Sequence, residues 1–287
     1  MNDKIGFEFV QTLGKELSAG EVELPAFPDV ALRIKAILED PEVSAGQVAT
    51  VVSADPVFSA RLLKIANSAA LSGGNPVSDI PSAITRIGFK MAHNIAISIA
   101  VNQIMNNNID KSMKATLQEL WHHSVCVAAY SYVIARKIAK INADKALLAG
   151  LMHDVGKIYI LSRASKNYPE LCADEQALNQ VLEDWHCGVG SAILGNWGMD
   201  NELSMVADEH ETFNRDILGQ GDLTDVVLVA NLLANFGDAN AKDNLPREDS
   251  WLSLESFKRL KIDNAKLAEI REGFQTEIES IISALAA

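Results

Sequence analysis

The sequence predicts an all-α protein built as a multi-helix bundle. Apolar residues recur three and four positions apart along nearly the whole chain, which is the spacing of one helix face. The strict alternation of apolar and polar residues that is typical of strands is scarce. The chain has 287 residues, of which 48% are hydrophobic, and this supplies enough apolar surface for a helical core.

Cap and breaker residues place the helices of the N-terminal part. Ser44 and Asp55 are good N-cap residues, and Pro56 suits the first helical position because its missing N–H is not needed there. Glycines and a proline between residues 72 and 79 indicate a loop. We predict helices over residues 2–18, 28–38, 45–53, 56–68, 81–87 and 89–105.

Longer helices are predicted for the rest of the chain, over residues 111–140, 143–162, 174–196, 201–211 and 223–236. A polar loop is expected at 237–250. Asp263 could cap a last helix whose apolar spacing favours packing on a globular surface over a coiled coil. That surface could belong to its own domain or to another chain.

The polar run at residues 106–108 is the best candidate for a boundary between parts of the chain. We therefore predict an N-terminal helical subdomain over 1–107 and a helical bundle over 108–240. A loop and an amphipathic helix are expected over 241–287.

Composition limits the partners and the compartment. The net charge is −13 and no long Lys/Arg cluster occurs, so we expect neither direct nucleic-acid binding nor membrane association. Three cysteines without CxxC spacing favour reduced thiols, and no signal peptide or long apolar run is visible. These features predict a soluble, cytoplasmic protein.

One segment carries candidate chemistry. Asp154 falls on the apolar stripe of the predicted helix 143–162, where an unpaired carboxylate is costly, and its neighbour His153 is a good ligand for a transition metal. Asp154 could instead accept hydrogen bonds from a helix N-terminus, and His153 could be an ordinary core imidazole. His123, His186 and His210 lie on three other predicted helices, and inward-pointing imidazoles on separate helices can build a metal site.

The order of these residues resembles the HD superfamily of metal-dependent phosphohydrolases. The motifs that carry the resemblance are Trp121-x-His123-Ser124, His153-Asp154-x-Gly156-Lys157, Trp185-His186 and His210. In that superfamily the first His, the His-Asp pair and a late Asp bind one metal ion, and histidines between them serve a second. The resemblance implies a divalent metal (Fe, Mn, Mg or Zn) held by His123, His153, Asp154, His186 and His210.

One position departs from that pattern. The late aspartate is expected in a Val-Ala-Asp context, and this chain has Val229-Ala230-Asn231. An amide can offer a neutral oxygen to a metal, but it cannot neutralise the charge of the ion or act as a base.

The N-terminal part resembles a narrower family, the HDOD (HD-related output domain) proteins, and the match covers roughly residues 20–215. The matching blocks are LPAFPDVALRIKAILEDP, ADPVFSARLLKIANSA and IPSAITRIGFKMAHNIAISIAV. Family signature positions fall at Asp55, Pro56, Asn67, Ser68 and Gly88, for most of which capping, helix-stop and turn roles suffice. Arg61 could bind an anionic partner or be a solvated surface arginine.

The resemblance implies a bacterial regulatory module that acts through a signalling protein or a phosphorylated small ligand, with a homodimer as a further option. The alternative is a metal-dependent phosphohydrolase or phosphodiesterase. In that alternative Asp154 and Lys157 are the catalytic residues, with Lys157 contacting substrate phosphate or acting as general acid, unless it is an ordinary exposed lysine. Asn231 favours the regulatory module, and the retained ligand positions favour the enzyme.

Overall fold

The structure is a computed structural model that describes residues 2–19, 33, 36–37, 40, 42–71, 74–107, 113–236 and 245–285. Within these ranges every regular element is a helix, which confirms the predicted all-α class. Most of the predicted helix 28–38 and much of the predicted loop 237–250 lie outside the described residues. Among the described helices, none combines the length and apolarity that crossing a bilayer requires.

The N-terminal helices begin where the caps predict. Ser44 forms a capping box with Gln47, and Asp55 Oδ1 accepts from the backbone N–H of Phe58 at 3.0 Å. The helices are α1 (Asn2–Ala19), α2 (Ala45–Ser53), α3 (Pro56–Ala66), α4 (Ile80–Ile87) and α5 (Phe89–Asn107).

The rest of the chain packs around a central helix, Leu223–Ala234, whose residues Leu223–Leu233 are buried on every side. A helix buried all round must lie inside the bundle, and this one packs against the helices Lys114–Val133, Ala143–Met152, Asn201–Glu209 and Glu255–Arg259. The set is α6 (Lys114–Val133), α7 (Ala143–Met152), α8 (Val155–Asn167), α9 (Pro169–Cys172), α10 (Glu175–Asn196), α11 (Asn201–Glu209), α12 (Leu223–Ala234), α13 (Glu255–Arg259), α14 (Asn264–Ala268) and α15 (Gln275–Leu285). Short π or 3₁₀ turns occupy Ile134–Ala139, Glu248–Ser253 and Glu269–Gly273.

Both ends of the described chain pack across the molecule. Helix α1 lies against α9 and α10, where Phe9 meets the edge of the Tyr168 ring at a centroid distance of 5.1 Å. Helix α15 lies against α6 and α3, with Glu277 paired to Lys137 at 2.8 Å. The last helix therefore packs on its own chain, the first of the two options that its sequence allows. The predicted boundaries at 107/108 and 240/241 stay predictions.

Two predicted helices are interrupted. The predicted helix 143–162 is wrong as a single element, because the chain turns at His153 and Asp154 between α7 and α8. Successive residues of an α-helix point about 100° apart, so a break is needed for both side chains to enter one interior site. The last predicted helix is split by the π turn Glu269–Gly273.

Candidate metal centre

Four separate parts of the bundle deliver histidines to one place. His123 comes from α6, His153 from the turn after α7, His186 from α10 and His210 from the end of α11. Ring centroids are 5.3 Å apart for His123–His153, 4.8 Å for His153–His210 and 5.3 Å for His186–His210. All four histidines singled out as ligands therefore share one site.

Backbone carbonyls fix the orientation of three of these rings. The Nδ1 atoms of His153, His186 and His210 lie 2.7, 2.6 and 3.0 Å from the carbonyl oxygens of Gly150, Leu182 and Ala207. Each Nδ1–H donates to its carbonyl, so Nε2 is the ring atom that faces the site. Outer hydrogen bonds of this kind are typical of metal-binding histidines.

Asp154 lies among these Nε2 atoms. Its Oδ1 is 3.3 Å from His210 Nε2 and 3.6 Å from His186 Nε2, and its Oδ2 is 3.4 Å from His153 Nε2. The side chain is fully buried and makes no capping hydrogen bond to α8, which excludes the helix N-terminus as its partner. Asp154 is thus held against imidazoles rather than against backbone amides.

Two further charged side chains lie at the site: Lys157, which the sequence predicted, and Glu211, which it did not. Lys157 Nζ lies 2.8 Å from Asp154 Oδ2 and 3.4 Å from Glu211 Oε1. Glu211 Oε1 in turn lies 3.6 Å from His186 Nε2 and 3.9 Å from His210 Nε2. Sequence reasoning missed Glu211 as a site residue, although its position directly after His210 was a usable signal.

The ionisation states follow from these contacts. Burial alone would raise the pKa values of Asp154 and Glu211, but the facing histidines and Lys157 hold both pKa values below their usual range. Burial would lower the pKa of Lys157, yet the two carboxylates raise it. Burial lowers the pKa of His123 to about 3 and also lowers that of His153. At neutral pH the site thus holds two carboxylates and one ammonium beside neutral imidazoles at His123 and His153.

The donor atoms form two overlapping groups that suit a divalent ion. His123, His153 and Asp154 form one group, and Asp154, His186, His210 and Glu211 form the other, with the donor atoms of each group within 4.8 Å of one another. Asp154 Oδ1, His153 Nε2 and His210 Nε2 are buried without a hydrogen-bond partner among the described residues. Orphaned donors of nitrogen and carboxylate type fit a transition metal.

Asn231 is fixed by its neighbours. Its Oδ1 accepts from Asn235 Nδ2 at 3.0 Å, and its side chain hydrogen-bonds to His123. It lines a cavity of about 110 Å³ together with His123, Asp154, Lys157 and Glu211. The position that would hold the late aspartate therefore lies at the site, but it carries an amide whose Oδ1 already accepts from Asn235.

Cys187 is a second residue that sequence reasoning missed. It follows His186 on α10, and its Sγ lies 3.3 Å from His186 Nε2. Burial, with the nearby charges of Glu211 and Asp154, raises the pKa of this thiol to about 12. The sequence gives no CxxC spacing that would mark Cys187 as a metal ligand. Its relation to His210, which lies on another helix, is visible only in the structure.

The position two residues after Asp154 has no room for a side chain, and it is occupied by Gly156. A Cβ at Gly156 would lie 2.0 Å from the carbonyl oxygen of His186. The glycine thus allows α8 to contact the α10 backbone directly and brings Asp154 close to His186.

The signature positions of the N-terminal part have structural contacts. Asn67 pairs through both side-chain atoms with the backbone of Val77, at 2.8 and 2.9 Å. Gly88 joins α4 to α5 with a φ of 81°, which favours glycine. These contacts agree with the capping and turn roles expected for most of these positions.

Comparison with known proteins agrees with this architecture. Residues 24–213 match the model of the HDOD domain. A protein from Shewanella amazonensis SB2B, provisionally named a metal-dependent phosphohydrolase, is 25% identical, with a TM-score of 0.78 over 98% of this chain and 99% of that one. An HDOD domain protein of unknown function from Geobacter sulfurreducens is 24% identical, with a TM-score of 0.71 over 96% of each chain.

An uncharacterized protein of Treponema pallidum (strain Nichols) is 24% identical over 292 residues. The match covers 94% of this chain and 53% of that protein, so the chain spans about half the length of the curated relative. Because the family model matches well over half of its residues, the chain belongs to the HDOD domain family.

Proposed function

We propose that this chain is a regulatory HDOD module that holds one divalent metal ion at Asp154, His186, His210 and Glu211. In this proposal the module acts through a signalling protein and does not turn over a phosphate ester. The observation that carries the proposal is Asn231, which stands in place of a ligand carboxylate and is tied to His123 and Asn235.

The charges support one ion at the second donor group. Asp154 and Glu211 bring two carboxylates to His186 and His210, enough to neutralise a divalent cation. The group around His123 and His153 shares Asp154 and adds no carboxylate of its own, because Asn231 is neutral. An ion there would have two neutral imidazoles as ligands, and its one carboxylate, Asp154, would be shared with the other group.

A bound ion would supply Lewis acidity and a fixed link between chain segments. The four ligands come from the turn after α7, from α10 and from the end of α11. Lys157, whose Nζ contacts Asp154 and Glu211, would compete with the ion for these two carboxylates. These residues hold three segments in one arrangement, which is a state that a partner protein can recognise.

The size of the site also supports a regulatory role. The cavity of about 110 Å³ is smaller than the roughly 300–1,000 Å³ of pockets that enclose organic ligands. Asp154 and Glu211 of the proposed ligand set line this cavity, together with the apolar side chains of Leu120 and Leu245. A metal ion with a few waters fits this volume, whereas a nucleotide does not.

The second candidate is a metal-dependent phosphohydrolase. Its support is the retention of His123, His153, Asp154, His186 and His210 at one site, and the provisional name of the Shewanella relative. In that function Lys157 would contact the phosphate and Asp154 would be a ligand of the catalytic ion.

Metal analysis combined with a hydrolysis assay separates the two candidates. The purified chain is assayed on p-nitrophenyl and bis-p-nitrophenyl phosphate with added Mn²⁺, Fe²⁺ or Mg²⁺. We expect bound metal without turnover above the rate of the ion alone. Metal-dependent turnover that His153→Ala abolishes would contradict the regulatory proposal. Absence of bound metal would contradict both candidates.

A further inference from the structure

A thiol lies beside the pair of imidazoles that His186 and His210 form. Cys187 Sγ is 3.3 Å from His186 Nε2, and its side chain is only partly exposed. Cys187 Sγ, His186 Nε2 and His210 Nε2 all lie within 4.8 Å of one another. Three donor atoms at such separations need only small side-chain adjustments to share one ion.

The histidine opposite the thiol gives an independent reason to expect a ligand. His210 is fully buried, and its Nε2 makes no hydrogen bond within the described part of the chain. Its Nδ1 donates to the Ala207 carbonyl, so Nε2 is the ring atom that faces the thiol and Asp154 Oδ1, the latter at 3.3 Å. His210 Nε2 and Asp154 Oδ1 are both buried without a hydrogen-bond partner among the described residues, which is costly unless an ion or a water meets them.

We propose that Cys187 is a ligand, with His186 and His210, of a thiophilic transition-metal ion such as Zn²⁺, Co²⁺ or Fe²⁺. This inference rests on the proposed function, because it concerns the ion held by the same histidine pair. On coordination the Cys187 thiol gives its proton to solvent and binds as the thiolate. Glu211, whose Oε1 is 3.6 Å from His186 Nε2, would complete the set after a shift toward Cys187, because it lies outside the 4.8 Å group that contains the thiol.

The thiolate determines which metal the site prefers. Carboxylate and water ligands suit Mg²⁺ and Mn²⁺, whereas a set of two imidazoles and one thiolate selects softer ions. A fourfold set of two nitrogens, one sulfur and one oxygen also suits the tetrahedral preference of Zn²⁺. The inferred site therefore takes Zn²⁺ or Co²⁺ and discriminates against Mg²⁺.

A second cysteine offers a matched control. Cys126 Sγ also lies near an imidazole, at 3.6 Å from His122 Nε2. This pair sits on an exposed histidine, and no third donor joins it within the described residues. Cys126 thus reproduces the Cys–His contact without the converging third ligand.

The test is optical titration of the metal-free full-length chain with Co²⁺. We expect visible d–d bands together with a near-ultraviolet thiolate-to-cobalt charge-transfer band. Cys187→Ser should remove the charge-transfer band and weaken Co²⁺ affinity by about tenfold or more. Cys126→Ser should retain both the band and the affinity.

The outcomes separate this inference from the function on which it rests. If the unaltered chain shows d–d bands without a charge-transfer band, Cys187 is not a ligand, and the metal site still stands. If the band persists in Cys187→Ser, another cysteine carries it and the inference is overturned. If Co²⁺ does not bind at all, both proposals fall. The decisive spectrum comes from the unaltered chain, so it does not depend on the folding of a variant.

Discussion

At the scale of single residues, Asn231 and Lys157 determine how many positive charges the site can take. Asn231 is buried beside His123 and accepts a hydrogen bond from Asn235. Lys157 places its ammonium between the two carboxylates of the second donor group. One residue withholds a negative charge and the other supplies a positive one, and each effect can be removed by a single substitution.

Asn231→Asp restores a carboxylate with almost the same shape. We expect bound metal to rise from about one to about two ions per chain, because His123, His153 and Asp154 then gain a second anionic ligand. Inductively coupled plasma mass spectrometry after dialysis measures the stoichiometry. Asn196→Asp, at the exposed end of α10, adds the same charge away from the site and should leave it unchanged. An unchanged ratio in Asn231→Asp would contradict the role given to the amide.

Lys157→Met removes the internal cation and keeps most of the side-chain bulk. We expect metal affinity to rise about tenfold or more, since the ammonium no longer repels the ion from Asp154 and Glu211. The metal-free variant should lose about 3 kcal/mol of stability, because a buried carboxylate is left uncompensated.

Calorimetric titration and urea unfolding measure these two effects. As a control, Lys145→Met breaks an ion pair to Asp200 near the surface, and it should change neither the metal affinity nor the stability by much. A fall in metal affinity in Lys157→Met would show that the lysine helps to hold the ion rather than competing with it.

The sequence reached part of this site and missed the rest for a definable reason. Imidazoles on separate amphipathic helices, together with the order of motifs, led to the five predicted ligand residues. Glu211 and Cys187 each sit beside a predicted histidine, and glutamates and cysteines have many ordinary surface or core roles. The three-dimensional distances from Glu211 Oε1 and Cys187 Sγ to the imidazoles distinguish these two residues from such ordinary ones.

At the scale of elements, the site depends on the break between α7 and α8 and on the contact between α8 and α10. The break turns His153 and Asp154 into the same interior, and Gly156 allows the two helices to touch through their backbones. The position of Asp154 relative to His186 therefore depends on a close helix–helix contact.

Gly156→Ala tests that contact. A Cβ 2.0 Å from the His186 carbonyl cannot be accommodated without moving α8 or α10, so we expect a loss of about 3 kcal/mol in stability and weaker metal binding. Gly188→Ala, on the same α10, meets no atom within 4 Å. The latter should be neutral or stabilising by roughly 0.5–1 kcal/mol. Equal metal affinity in both variants would show that the close contact does not position the ligands.

Helix starts were more predictable than helix interruptions. A cap is a local feature: Ser44 and Asp55 satisfy nearby backbone amides, so the sequence is enough to place α2 and α3. The break at His153 and Asp154 is driven by burial of both side chains in a shared polar site, and the π turn at Glu269–Gly273 lies where the C-terminal helices meet the rest of the bundle. Tertiary packing decides these features, and periodicity alone does not record it.

At the scale of the whole molecule, the terminal helices connect distant parts of the chain. Helix α1 packs on α9 and α10, and α15 packs on α3 and α6. Ser280 Oγ accepts from the backbone N–H of Ala69 at 2.8 Å, which fastens α15 to the N-terminal half. The described buried apolar residues form one continuous core, which includes residues of α1, α3, α6 and α15.

The site should make the metal-free protein sensitive to acid. The folded pKa of His123 is about 3, while an unfolded histidine titrates near about 6.5. As the pH falls below the unfolded value, the unfolded chain takes up a proton that the folded chain does not, so stability decreases. The lowered pKa values of Asp154 and Glu211 act in the same direction, but only below about pH 4.5, where unfolded carboxylates protonate.

His123→Gln isolates the first of these two pH windows. Between about pH 7 and pH 5 we expect the metal-free variant to lose about 1 kcal/mol less stability than the unaltered chain, a figure reduced because His123 keeps some exposed surface. Urea unfolding at the two pH values measures the difference. An identical pH dependence in both proteins would rule out a buried neutral His123 as its source.

The most direct test of the central claim is the number of metal ions per chain in the unaltered protein and in Glu211→Gln. The chains are loaded with Co²⁺ or Zn²⁺, dialysed and analysed by inductively coupled plasma mass spectrometry, with the exposed Asp208→Asn as a control. We expect about one ion in the unaltered protein and in the control, and clearly less than one in Glu211→Gln. Two ions per chain, or full occupancy in Glu211→Gln, would contradict the account.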